Sequence, residues 1–119
     1  MTDIPVFNVA LIGLGKIGMG YDVNLDKTKF VLSHANAFSQ NSGFRLVVGV
    51  DQDPKLRSQF TKIYQVNNVE KFEDYKLLSN VDLVVVATPP ESHLSVIENV
   101  LKNVTPKAIL CQKPLAHNF

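Results

Sequence analysis

Apolar runs alternate along this chain with stretches of helical spacing. Val6–Ile12 is nearly all apolar, broken only by Asn8, and Phe44–Val50, Val81–Ala87 and Ala108–Cys111 repeat the pattern. Runs of this length and composition predict strands buried on both faces, as in a parallel sheet. A short further strand is expected around Val69. Between the strands, Ala35, Ala37 and Phe38 take up helical spacing that stops at Asn41-Ser42-Gly43. Leu56, Phe60 and Ile63 fall on one face of a helix over Pro54–Tyr64, started by Asp53 as cap with proline at the first helical position. Phe72–Leu78 is expected to form a short helix. A longer one is expected over Glu91–Asn103, with Leu94, Ile97, Val100 and Leu101 turned to the sheet. Strand and helix in alternation predict the α/β class, a doubly wound parallel sheet with right-handed crossovers. One segment departs from the pattern. Met19–Ser33 has no sustained helical period and is rich in turn formers, so a loop inserted near the first strand's end is expected there.

The first strand runs into Gly13-Leu14-Gly15-Lys16-Ile17-Gly18, which fits G-x-G-x-x-G at all three glycines. Gly13 permits the tight turn, Gly15 offers no Cβ to a pyrophosphate, and Gly18 allows close packing after the loop. This is the Rossmann-type dinucleotide fingerprint, and it makes residues 13–18 candidate cofactor contacts. Asp51, ending the second strand, can accept the ribose hydroxyls of an adenosine and repels a 2′-phosphate, which favours NAD. Its distance from the glycines exceeds the usual spacing, and the inserted segment accounts for the excess. Lys55 and Arg57 nearby leave room for NADP. The fourth strand ends in Ala87-Thr88-Pro89-Pro90, and the fifth is followed by Gln112-Lys113-Pro114. All of these groups are expected at the C-terminal edge of the sheet, where open α/β sheets bind their ligands.

Composition narrows the picture. At 119 residues the chain is one domain, with 45% hydrophobic and 19% charged residues. Its net charge of +1, with acids and bases interleaved, gives no basic face for nucleic acid or an anionic membrane. The lone Cys111 excludes an internal disulfide and a cysteine-based metal site, and no metal is expected. Beside the last motif it reads as a small buried hydrophobe. Neither a secretory start nor a spanning apolar run is visible, so a soluble cytoplasmic protein is expected.

In GLGKIG (13–18), His34-Ala35, VVGVDQDP (47–54), VVVATPPESH (84–93) and QKPLA (112–116), the chain resembles the N-terminal domain of the Gfo/Idh/MocA oxidoreductases. The resemblance covers nearly the whole chain, and the last two motifs are more family-specific than the glycines. It implies hydride transfer between NAD(P) and a hydroxyl-bearing carbon of a sugar, nucleotide-sugar or polyol. Lys113 would lie beside the nicotinamide and the reacting hydroxyl as the catalytic lysine. Ala87, Thr88, Pro89, Pro90, His93 and Gln112 would line the cofactor, His93 in a structural or helix-terminus role. The family's usual glutamate is Gln112 here, which leaves the Lys113 ammonium without an adjoining carboxylate. Family members continue into a second α/β domain carrying most substrate contacts and the oligomer interface. The sequence stops at Phe119, so the resemblance implies a 1–119 cofactor domain of an enzyme that is a homo-oligomer when full length. The alternative is a stand-alone NAD(H)-binding regulatory module without catalysis.

Overall fold

In the computed structural model, residues 5–112 are described. Five parallel strands form one sheet: β1 (Phe7–Ile12), β2 (Phe44–Val50), β3 (Asn67–Val69), β4 (Leu83–Val86) and β5 (Ala108–Cys111). Their spatial order is β3-β2-β1-β4-β5, so the chain reverses direction across the sheet between β1 and β4. The reversal opens a crevice at the carboxyl ends of these two strands. The register puts Ile12 beside Val50 on one side and Val86 on the other, so the ends of β2, β1 and β4 are level. Cys111 continues that edge beside Val86.

Each face of the sheet has its own core. On one, Val9, Leu11, Leu46 and Val85 pack with Leu14, Met19 and Ala35, and with Phe60 of helix α2 (Pro54–Tyr64). On the other, Ala10, Ile12, Val48, Val84 and Val86 pack with Phe72, Tyr75 and Val81, and with Val100 of helix α3 (His93–Asn103). The central strands β1 and β4 are therefore buried on both faces, and β2 over Val48–Val50, as their near-continuous apolar runs predict. In contrast, β5, also expected to be buried, is an edge strand with Ala108 and Leu110 exposed. Asp53 caps α2, its carboxylate accepting the Lys55 amide at 2.8 Å ahead of Pro54. Among the described residues no helix is long and apolar enough to cross a membrane.

Two expected elements differ. Phe72–Leu78 is not one helix but two separate 3₁₀ turns, Phe72–Asp74 and Leu78–Asn80, with Tyr75 extended after the first. Phe72, Tyr75 and Leu78 recur at intervals of three and all pack into the second core, a period that suits 3₁₀ geometry. The expected helix over Glu91–Asn103 begins as a 3₁₀ turn, Pro90–Ser92, and becomes α-helical at His93. Its buried stripe is His93, Val96, Ile97 and Val100, whereas Leu94 and Leu101 point outward, 65% and 58% exposed.

The Met19–Ser33 segment is irregular, as its composition predicts, with a single 3₁₀ turn at Gly20–Asp22. Helix α1 (His34–Gln40) follows it, capped by the Ser33 hydroxyl. The amides of His34 and Ala35 donate to the carbonyls of Ile17 and Gly18, at 3.0 and 2.8 Å. In an α-helix those carbonyls would be taken by residues 21 and 22. The chain thus leaves a helical path after Gly20, loops out through residues 21–33, and rejoins it at His34.

Candidate functional site

The glycine turn is held by backbone packing. Gly13 has φ of +102°, and a Cβ there would lie 2.7 Å from the Ala87 carbonyl carbon and 2.8 Å from the Thr88 nitrogen. Only glycine suits both demands. A Cβ on Gly18 would overlap the Gly13 carbonyl oxygen, so the turn closes on itself. Over Gly15 the situation is reversed: a Cβ would meet nothing within 4 Å. That glycine borders open space, as a backbone approached by an external group must.

Asp51 is tied to the same turn. One carboxylate oxygen accepts the Leu14 amide at 2.9 Å and the other accepts the Asp53 amide at 2.8 Å. Each oxygen retains a further lone pair. Arg57 is turned away, donating to the carbonyls of Asp51 and Gln52 at 3.0 and 3.1 Å.

Two cavities meet here. The first, about 450 Å³, lies between the ends of β2 and β4 and carries Asp51, Glu70, Glu73 and Lys71 as its charged lining. Asn99 donates to Glu73 at 3.0 Å and holds its carboxyl below the ordinary value, so Glu73 is anionic at neutral pH. The second, about 400 Å³, is lined by Gly15, Lys16, Ile17, Tyr21, Ala87, Pro90, His93 and Gln112. Gly13, Asp51, Thr88 and Pro89 border both. They form the ridge between the two lobes.

The β4 end is rigidly built. Ser92 Oγ donates to Thr88 Oγ1 at 2.7 Å. His93 is buried and its Nε2 lies 2.6 Å from the Thr88 carbonyl oxygen, which requires the proton on Nε2. The Gln112 amide N–H donates to the Val86 carbonyl, and its side-chain oxygen lies 3.0 Å from His34 Nε2. Burial pushes the Cys111 thiol pKa up, leaving a protonated, weakly nucleophilic group against the second core. Of the residues expected from sequence, Gly13, Gly15, Lys16, Ile17, Asp51, Ala87, Thr88, Pro89, Pro90, His93 and Gln112 line one or both lobes. Leu14 instead packs in the core and touches the site through its amide. Gly18 supports the turn from behind. Lys113 lies outside the described residues. His/Cys/Asp/Glu groups able to hold a metal ion are absent among the described residues.

Sequence reasoning gave no site role to Tyr21, Asp22 or His34. Asp22 is fully buried, and its carboxylate accepts the Leu32 amide, the Ser33 amide and the Ser33 hydroxyl at 2.8–2.9 Å. Burial alone would raise its pKa, but these hydrogen bonds outweigh it and hold the carboxyl below its ordinary value. Buried Asn36 completes the fastening by donating to the Lys27 and Phe30 carbonyls at 3.0 and 3.1 Å. The signal for this was present: a Ser33 cap ahead of His34, and an aspartate in an otherwise dispensable loop.

Comparison with known proteins agrees with this geometry. The model of the GFO_IDH_MocA oxidoreductase family, an NAD-binding Rossmann fold, matches residues 7–119. An inositol 2-dehydrogenase of Rhizobium meliloti (strain 1021) is 30% identical over 107 residues, covering 88% of this chain and 27% of that protein. A crystal structure assigned as a myo-inositol dehydrogenase of Sinorhizobium meliloti 1021 superposes with a TM-score of 0.69 at 28% identity, over 93% of this chain and 29% of that one. The 3-ketoreductase KijD10 of Actinomadura kijaniata, in complex with NADP and TDP-benzene, gives 0.70 at 21% identity, over 93% and 30%, a likeness of fold. The chain therefore spans little more than a quarter of the length of these relatives.

Proposed function

The chain belongs to the Gfo/Idh/MocA oxidoreductase family, and on that premise we propose that it is the cofactor-binding unit of a dehydrogenase acting on a hydroxyl of a sugar, nucleotide-sugar or polyol. The observation that carries the reading is the pair of lobes meeting at Gly13, Asp51, Thr88 and Pro89. A dinucleotide has two halves joined by a pyrophosphate, and the crevice has two chambers joined beside a glycine with room above it. The first lobe takes the adenosine half, with Asp51 accepting ribose hydroxyls through its remaining lone pairs. The backbone at Gly15 faces the pyrophosphate. The second lobe takes the nicotinamide half, walled by Ala87, Thr88, Pro89, Pro90, His93 and Gln112. When bound, the cofactor supplies the hydride acceptor or donor. The chain's own residues position it and keep water from one side. His93, committed to the Thr88 carbonyl, fixes the β4 end. Lys113, next in sequence to Gln112, holds the substrate oxygen and assists its proton transfer.

The remainder of the substrate site, and the surface through which the whole protein assembles as a homo-oligomer, belong in this reading to a second domain like the part of the relatives beyond this chain's match. The direct test is calorimetric titration of the 119-residue chain with NAD and NADH. Saturable one-to-one binding is expected, and its absence for both overturns the reading. Dehydrogenase activity is then sought in the whole protein with inositols and nucleotide-sugars, and Lys113→Met should abolish turnover while leaving NADH binding within a few-fold.

A further inference from the structure

The loop-out of residues 21–33 leaves one aromatic ring at the mouth of the site. Tyr21 is the first residue off the helical path, and its amide is pinned to the Lys16 carbonyl at 2.8 Å. Its neighbour Asp22 is fully buried and bonded to Leu32 and Ser33, the far end of the same loop. The backbone is therefore fixed on both sides of the tyrosine, while 54% of the residue stays exposed. Tyr21 lines the second lobe and not the first. Three other polar side chains of that lobe are already engaged, Gln112 with His34, His93 with Thr88, and Thr88 with Ser92, whereas the flexible Lys16 lines it without a hydrogen-bond partner among the described residues. The Tyr21 hydroxyl likewise makes no hydrogen bond among the described residues. A large amphipathic side chain carried on a fastened backbone at an open cavity, with both ring and hydroxyl uncommitted, is suited to contact a bound aromatic group.

We propose that Tyr21 is a cofactor-contacting residue whose ring forms a wall of the nicotinamide half-site, and that the 21–33 loop-out, fastened by Asp22, serves to present it. The inference rests on the two-lobed dinucleotide reading and adds to it a contact from outside the glycine turn and the strand ends. Asp22 is then a positioning residue, acting through Tyr21.

The test uses the 119-residue chain with two probes, NADH and ADP, the second occupying the adenosine lobe alone. Wild type and Tyr21→Ala are compared by NADH fluorescence and by calorimetry. Tyr21→Ala is expected to weaken NADH about tenfold, the scale on which an aromatic platform contributes to binding a planar ring, and to leave ADP within twofold. Tyr21→Phe, which keeps the ring, should stay within threefold of wild type for both. Because the side chain is exposed, thermal melts of both variants should overlay that of wild type. NADH affinity unchanged in Tyr21→Ala overturns the proposal, as does an equal loss for NADH and ADP, or a loss in Tyr21→Phe as large as in Tyr21→Ala. Wild type that binds NADH while Tyr21→Ala binds it equally well overturns this proposal alone. A wild-type chain that binds neither NAD nor NADH, whether or not it binds ADP, overturns the dinucleotide reading beneath it.

Discussion

Gly13 and Gly15 stand two residues apart and do opposite things. Gly13→Ala would hold an L side chain at φ of +102° with its Cβ against the Ala87–Thr88 peptide that follows β4. The strain and the clash together should cost about 3 kcal/mol or more, seen as a fall in denaturation midpoint. Gly15→Ala meets no neighbour and should leave the midpoint within about 0.5 kcal/mol of wild type. If the pyrophosphate approaches here, however, the same methyl group should reduce NADH affinity more than tenfold. A stable variant that still binds would remove Gly15 from the site. Asp51 offers no such clean separation, because its carboxylate also holds the Leu14 and Asp53 amides. Loss of binding in Asp51→Ala would mix ribose contact with loop support. Gln112 carries a second prediction at this scale. Its oxygen lies 3.0 Å from His34 Nε2, so Gln112→Glu would set a carboxylate beside an imidazole and favour the imidazolium. A folded-state histidine pKa raised by such a partner adds stability below the unfolded value of about 6.5, lost as pH rises through the raised value. At pH 5 the variant should exceed wild type by about 0.5–1 kcal/mol, converging with it near pH 8. Parallel melting curves at both pH values would show that the pair does not form.

Among the elements, the looped-out segment is the least regular and yet among the most securely fastened. Asp22→Asn removes a negative acceptor from three donors in a buried place, and should cost about 2 kcal/mol or more at neutral pH. The sign of its pH dependence follows from the lowered carboxyl pKa. The stabilisation is fully present above the ordinary value of about 4 and disappears as pH falls through the lower folded value. The gap between wild type and variant should therefore close in acid, below about pH 4. A gap that persists there would mean the carboxylate's charge is not what holds the loop. This element also marks where reading the sequence stops. Strands β1, β2, β4 and β5, the glycine turn and the Asp53-Pro54 start of α2 were legible because their determinants are contiguous. That helical spacing resumes at His34-Ala35 after the inserted segment was legible too; the bonds from residues 34–35 back to 17–18 were not, because they leave no local pattern. The face of α3 was misread for another reason. Leu94, Ile97 and Leu101 also fit a helical stripe, and only the burial of His93 against the Thr88 carbonyl chooses the competing one. Hydropathy ranks a histidine as surface. Burial of the ring, with a hydrogen bond to the Thr88 carbonyl, reverses that.

For the molecule as a whole, a net charge of +1 says little about the site; the local balance is what a ligand meets. The first lobe is lined by three carboxylates, those of Asp51, Glu70 and Glu73, against the ammonium of Lys71. Arg57, the guanidinium that sequence offered as a partner for a 2′-phosphate, is spent on the Asp51 and Gln52 carbonyls, and Lys55 does not line the cavity. A ribose 2′-phosphate would bring about two negative charges into this surrounding without a positioned cation. NADP should accordingly bind at least tenfold more weakly than NAD, a difference of about 1.4 kcal/mol. Since the lobe is open to solvent, the penalty is Coulombic repulsion through water and screenable: the Debye length falls from about 10 Å at 0.1 M salt to about 3 Å at 1 M. Titrations with both nucleotides across that range should show the NAD preference narrowing as salt rises. A preference that is constant with salt would point to steric exclusion of the 2′-phosphate. Equal affinities at low salt would show that Lys71 or Arg57 reorients to meet it, and that the acidic lining does not select the cofactor.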